Sequence, residues 1–221
     1  YGAFFAMTER GGKNLRGLEK ADSITLDPHK TLFLPYGTGS LLVKDVATLR
    51  QAHSVSGEYM PAYQSDMDLV DFCEISPELS RGNRGLNCWL PLKMVGLNVF
   101  RQALDEKLDL ARHAASALHK IPFVKIVAEP ELSLLAFRLE HPDLDFEACN
   151  ALNKKWEDQV NRRGNVYITG TSLQDKFTLR ICVLNFRTHQ DRMDLALSDL
   201  KETADALTHS IEGARSHPET R

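Results

Sequence analysis

Cysteine is scarce and scattered in this chain. Cys73, Cys88, Cys149 and Cys182 lie far apart, with no Cys-x-x-Cys and no clustered histidines, which removes the spacing of a zinc site and the density of a disulfide framework. No apolar run reaches bilayer length, and the first residues lack the basic-then-apolar layout of a signal peptide. Charge of one sign is missing too. A formal net charge of -3 gives no electrostatic reason to invoke nucleic acid or an anionic membrane. There is no internal repeat and no low-complexity tract. What remains is a globular composition, 43% hydrophobic and 26% charged over 221 residues, enough to bury a core in one or two domains, with a reducing cytoplasm as the simplest setting.

Against that background one lysine stands out. Lys30 ends the run Asp27-Pro28-His29-Lys30, directly after the strand-like Ser23-Ile24-Thr25-Leu26 and before a charge-free stretch, 31–43, that holds Pro35, Gly37 and Gly39. Lysines usually decorate solvated faces, because burying an ammonium is costly. Desolvation in an apolar pocket favours the neutral amine, the form that attacks a carbonyl carbon, so a lysine here is a candidate for Schiff-base chemistry. Taken alone, an exposed structural lysine at a strand end is the better reading.

Residues 21–30 together with Leu32-Phe33-Leu34-Pro35-Tyr36-Gly37-Thr38-Gly39 closely resemble the cofactor-lysine segment of the pyridoxal-phosphate-dependent group II amino acid decarboxylases, which include aromatic amino acid, histidine and glutamate decarboxylases. The resemblance implies that Lys30 carries pyridoxal 5'-phosphate through an imine and that His29 lies beside the cofactor phosphate. Many relatives have Asn where this chain has Asp27, and the aromatic-type enzymes often have Trp at the place of Thr31. Further on, Gly57-Glu58-Tyr59-Met60 falls where the family carries a mobile loop whose tyrosine, supplied by the neighbouring subunit, returns a proton to the substrate carbon. Tyr59 is thus the candidate general acid, its neutral phenol being a donor at physiological pH. Tyrosine rather than phenylalanine there points to simple decarboxylation rather than oxidative chemistry. The run from Ser80-Arg81-Gly82-Asn83-Arg84 to Leu92-Lys93 is similar to the segment that lines the partner subunit's site, and Ser80 matches a position that contributes to substrate choice. Gly82-Asn83 departs from the Arg-Phe of the animal aromatic enzymes, and Arg84 is as readily an ordinary ion-paired arginine as a functional one.

The implied fold is α/β: the C-terminal part of the large domain of a fold type I pyridoxal-phosphate enzyme over residues 1–90, then a linking helix and a small C-terminal α/β domain over 91–221. In the family an aspartate that pairs with the pyridinium nitrogen comes just before an Ala-Ala-Tyr, and Tyr1 matches that tyrosine. The expectation is therefore a piece of a longer homodimeric decarboxylase, inactive by itself, that yields an amine and carbon dioxide from an aromatic-type amino acid. Another fold type I enzyme, an aminotransferase or lyase, shares a lysine at a strand end. A non-catalytic dimerising relative is the other alternative, and intact Lys30, His29 and Tyr59 speak against it.

Periodicity fills in the rest. Pro91 suits the first turn of a helix, and Leu97, Phe100, Leu104, Leu108, Ala111, Ala115 and Leu118 recur at helical spacing, a buried stripe. Leu135, Phe137 and Leu139, and likewise Phe177, Leu179, Ile181 and Val183, alternate as half-buried strands do. Between them Cys149, Leu152, Trp156 and Val160 predict a helix that stops at Gly164-Asn165, and Leu197, Leu200, Ala204 and Leu207 predict a last one. The polar tail from Gly213 to Arg221 is expected to fray.

Overall fold

Lys30 is positioned by a small strand pair and by one long helix that runs beneath it. The structure, a computed structural model, describes residues 1–53 and 71–216. A 3-10 turn, Ala3–Met7, drives Phe5 to complete burial against Leu104 and Leu108. Helix α1 (Glu9–Asn14) follows, its cap Thr8 accepting from the Gly11 N–H at 3.0 Å and donating to the Phe5 carbonyl at 3.0 Å. That approach requires glycine at 11, where a Cβ would stand 2.3 Å from the Phe5 oxygen. Strands β1 (Ser23–Leu26) and β2 (Ser40–Val43) pair antiparallel, from Ser23 opposite Val43 to Leu26 opposite Ser40. The single-turn helix α2 (Pro28–Thr31) and an eight-residue loop connect them, and Leu32 and Leu34 anchor that loop on Phe100.

Helix α3 (Val46–His53) leaves this pair; α4 (Arg84–Val95) and α5 (Leu97–Leu118) come after residue 71. Pro91 lies inside α4 rather than in a first turn. A proline there removes one helical hydrogen bond, and α4 tolerates it because none of its residues is buried, which leaves the freed carbonyl side open to water. The break that starts α5 comes instead from Gly96, at a φ of 89° that side-chain-bearing residues avoid. The expected stripe on α5 is buried from Phe100 to Leu118, whereas Leu97 at its start is exposed. Its first half packs on Phe5, Leu32 and Leu34, and its second half, from Leu110, packs on the following sheet.

That sheet contains β3 (Val124–Ala128), β4 (Leu134–Leu139), β5 (Thr169–Leu173) and β6 (Lys176–Cys182), all antiparallel in the order β3-β4-β6-β5. Helices α6 (Phe146–Arg162) and α7 (Gln190–Ser216) join α5 in covering Leu135, Phe137, Leu139, Leu179 and Ile181. Strand β4 is not half-buried as its alternation predicts. It is a central strand, and its intervening residues Ala136 and Arg138 are buried as well; Arg138 is accommodated by Asn150 at 3.3 Å and Glu140 at 3.5 Å. Strands β3 and β5 carry no strong sequence signal. The β5–β6 turn uses Gln174 and Asp175, both at positive φ, the mirror-image geometry of tight hairpins, without a glycine to announce it. Helix α6 stops as expected, with Gly164 at positive φ just past its end, and it starts on Asp145, whose side chain accepts from Ala148 N–H at 2.8 Å. The last helix runs to Ser216, and the rest of the tail expected to fray, 217–221, lies outside the described residues.

Candidate active site

Proline at the first position of α2 fixes the direction in which the chain leaves β1, and Asp27 takes the N-cap position. An aspartate there normally satisfies a free backbone N–H. The Asp27 side chain makes no such cap; its Oδ2 accepts from Lys30 Nζ at 2.7 Å and its Oδ1 stands 3.9 Å from His29 Nε2. The hydrogen bond from Lys30 holds the Asp27 carboxyl below its usual range; partial burial opposes this, and the charges of Lys30 and His29 reinforce it.

His29 is oriented from the other side. Its Nδ1 lies 2.8 Å from the Thr38 carbonyl, and because a carbonyl only accepts, Nδ1 carries the proton. Nε2 is then the variable edge, a donor only when the ring is protonated. The ring tilts against Tyr36 at 5.5 Å between centroids. Buried Thr38 closes the loop by donating to the Pro35 carbonyl at 2.9 Å, and buried Thr31 donates to the Tyr1 carbonyl at 2.8 Å. His29 and Lys30 thus project from a turn that is pinned at both ends.

The Lys30 side chain is 43% exposed and ion-paired, the strand-end placement that its residues taken alone favour. Of the other residues singled out in the sequence, Tyr59 lies outside the described residues. Ser80 is exposed on the segment leading into α4, and among the described residues no hydrogen bond or ion pair joins it to His29 or Lys30. Arg84 is engaged in a two-pronged pair with Glu78, at 2.8 and 2.9 Å, which is the ordinary role. Neighbouring Arg81 stacks over the Phe72 ring at 3.9 Å.

Sequence reasoning missed the end of β6. Burial pushes the Cys182 thiol up, while the positive charges of Arg180 and Lys30 act the other way, so this strand end lies within electrostatic reach of the Lys30 turn although the two are 152 positions apart in the chain. The Tyr1 phenol is raised, first by burial and then by Cys182. An open cleft of about 410 Å³ begins here, lined by Arg180, Cys182, Asn185, Thr169, Tyr167 and Arg192 among others. Arg180 is exposed and fixed through Nε to the Thr169 hydroxyl at 3.0 Å. The only signal in sequence was a charged residue interrupting an apolar strand, which reads as a solvated face.

An amine and an imidazole stand side by side at the end of a strand, on a mixed α/β scaffold, both turned toward the Asp27 carboxylate. The comparisons say which family carries this arrangement. Residues 1–140 match the pyridoxal-dependent decarboxylase conserved domain, and the chain belongs to this family. It is 32% identical over 212 residues to an aromatic-L-amino-acid decarboxylase of Bacillus atrophaeus, covering 95% of this chain and 44% of that protein. With tyrosine decarboxylase 2 of Arabidopsis thaliana it shares 30% over 199 residues, covering 90% and 36%. Among solved structures, Catharanthus roseus tryptophan decarboxylase in complex with L-tryptophan superposes with a TM-score of 0.76 at 29% identity, over 87% of this chain and 40% of that one. The Oryza sativa TDC with PLP and tryptamine gives 0.80 at 21% identity over the same shares, a likeness of fold. The chain spans less than half the length of these relatives.

Proposed function

We propose that this chain is the lysine-bearing portion of a pyridoxal-phosphate-dependent decarboxylase that converts an aromatic-type L-amino acid to its amine and carbon dioxide. The observation that carries this reading is the pinned turn that presents His29 and Lys30, within a stretch that matches the family over residues 1–140. The donor set fits the cofactor. Lys30 offers a solvent-accessible primary amine to an aldehyde, and His29 offers a ring edge that donates to a phosphate when Nε2 is protonated. Lys30 would therefore hold pyridoxal 5'-phosphate at its aldehyde carbon and His29 would lie against its phosphate. When bound, the cofactor supplies a conjugated ring that accepts the electron pair left by the departing carboxylate.

This chain's own residues do the rest. The Arg180 guanidinium, facing the cleft beside Cys182, has the geometry that binds a carboxylate and would orient the substrate. Tyr59 would deliver the proton to the substrate carbon, and Ser80 would border the site of a partner subunit. The relatives of tyrosine-, tryptophan- and general aromatic-decarboxylase type support an aromatic substrate. A homodimer is supported by exposed apolar residues on α4, namely Leu86, Trp89, Leu90 and Met94, which a second copy would cover. We place the boundary between a cofactor domain and a small domain near residue 90, and the protein in the cytoplasm, where its four cysteines would stay free. Among the described residues no helix is long and apolar enough to cross a membrane.

The test is covalent. Incubating the intact protein with pyridoxal phosphate, reducing with borohydride and mapping peptides is expected to place the adduct on Lys30 and to lose it in Lys30→Ala. An adduct on another lysine, or none, would overturn the reading.

A further inference from the structure

Asp27 occupies an N-cap position and does not cap. Its carboxylate turns instead onto the Lys30 amine, 2.7 Å away, three residues later on the same single turn of helix. We propose that Asp27 is a positioning residue that clamps the Lys30 amine until an aldehyde reaches it, so that capture of the cofactor requires release of this ion pair; the proposal rests on the assignment of Lys30 as the capturing residue.

The chemistry of condensation makes the clamp consequential. An ammonium held by a carboxylate has no lone pair to offer. For a C=N bond to form, the ammonium first gives up one proton, to the Asp27 carboxylate or to water. The nitrogen lone pair then attacks the aldehyde carbon, and the carbonyl oxygen leaves as water with the two remaining amine hydrogens. While Nζ is tied to Oδ2, the nitrogen is not free to turn toward an incoming carbonyl. No other carboxylate is recorded against Lys30 among the described residues. The charged and titratable groups around the pair are His29, at 3.9 Å from Asp27, and Cys182 at the end of β6. Over residues 27–38 of this turn Asp27 is the one carboxylate, and so the counter-ion of Lys30. The hydrogen bond from Lys30 holds the Asp27 carboxyl below its usual range, which favours its ionised form, in line with that role.

Asp27→Asn tests the clamp with little risk to the fold, because the side chain makes no helix cap to lose. The intact protein, free of cofactor, is treated with a limiting amount of acetic anhydride, and acetylation at Lys30 is counted by peptide mass spectrometry relative to exposed Lys120 in the same molecule. Asp27→Asn is expected to raise the Lys30 to Lys120 ratio about two- to fivefold at low salt, the size of effect an exposed ion pair exerts. The gain should narrow at about 1 M salt, where the screening length falls to about 3 Å. Asp27→Glu, which restores the carboxylate, should return the ratio toward wild type. Equal ratios in Asp27→Asn and wild type at low salt would overturn the proposal, as would a gain that Asp27→Glu reproduces, which would mark a structural effect instead. Borohydride trapping of pyridoxal phosphate on unacetylated samples of the same proteins separates the two ideas. Loss of the adduct at Lys30 in wild type would refute the cofactor assignment, whereas the acetylation ratio judges Asp27 independently.

Discussion

Trp156 is the residue on which the sheet-and-helix half of the molecule converges, and replacing it gives a calculable loss. The indole is fully buried, meets Phe137 of β4 edge-on at 5.5 Å, and donates from Nε1 to the Leu200 carbonyl at 3.1 Å and the Thr203 hydroxyl at 3.0 Å on α7. It therefore ties α6 to the sheet and to the last helix at once. Burying a tryptophan removes about 200 Å² or more from water, which at about 25 cal/mol per Å² is roughly 5 kcal/mol as an upper bound. Trp156→Ala should cost about 3–5 kcal/mol, the range for large-to-small changes in a close-packed core. Trp156→Phe keeps one ring against Phe137 but loses the N–H bond, worth about 1 kcal/mol, and leaves a void where the second ring stood, so about 2–3 kcal/mol is expected. Urea unfolding followed by far-ultraviolet circular dichroism reads this as a lower midpoint at unchanged slope. A Trp156→Phe protein within about 0.5 kcal/mol of wild type, the usual scatter for surface changes, would refute the claim that this indole is a junction.

Two further outcomes follow from the packing and the charges. On β5, a Cβ at Gly170 would lie 2.2 Å from the Phe177 ring, so Gly170→Val should displace that ring and destabilise by about 1–3 kcal/mol in thermal melts; an unchanged melting temperature would show that the ring is not held there. Burial pushes Glu106 up, but hydrogen bonds from Lys107 and His189 outweigh it and leave the carboxyl below its usual range. A carboxyl depressed in the folded state binds fewer protons folded than unfolded near its pKa. Its contribution is therefore present above about pH 4.3 and is lost as the pH falls through the lower folded value. Glu106→Gln should flatten the acid limb of the stability–pH curve, and an identical limb in both proteins would sink that assignment.

Much of this protein was legible in its residues before any coordinates. The stripes of α5, α6 and α7 follow from apolar spacing, because a helix exposes one face to whatever it packs on, whatever that partner is. The turn carrying His29 and Lys30 was equally local, as proline after Asp27 and threonine at 38 act within twelve residues of chain. Other features depended on neighbours that a linear pattern does not contain. Alternation in β4 could not reveal that Arg138 would be buried, since that depends on β3 and β6 flanking it. Pro91 read as a helix start because proline fits there, yet an exposed helix also admits one internally, and only packing reveals which helices are exposed. The sequence by itself determined which segments coil, which extend and which lysine is offered at a strand end. Tertiary structure alone decided that Cys182, at the end of β6, comes within electrostatic reach of Lys30. Periodicity records a residue's relation to its own element, whereas charge and burial at a site are sums over everything that folds against it.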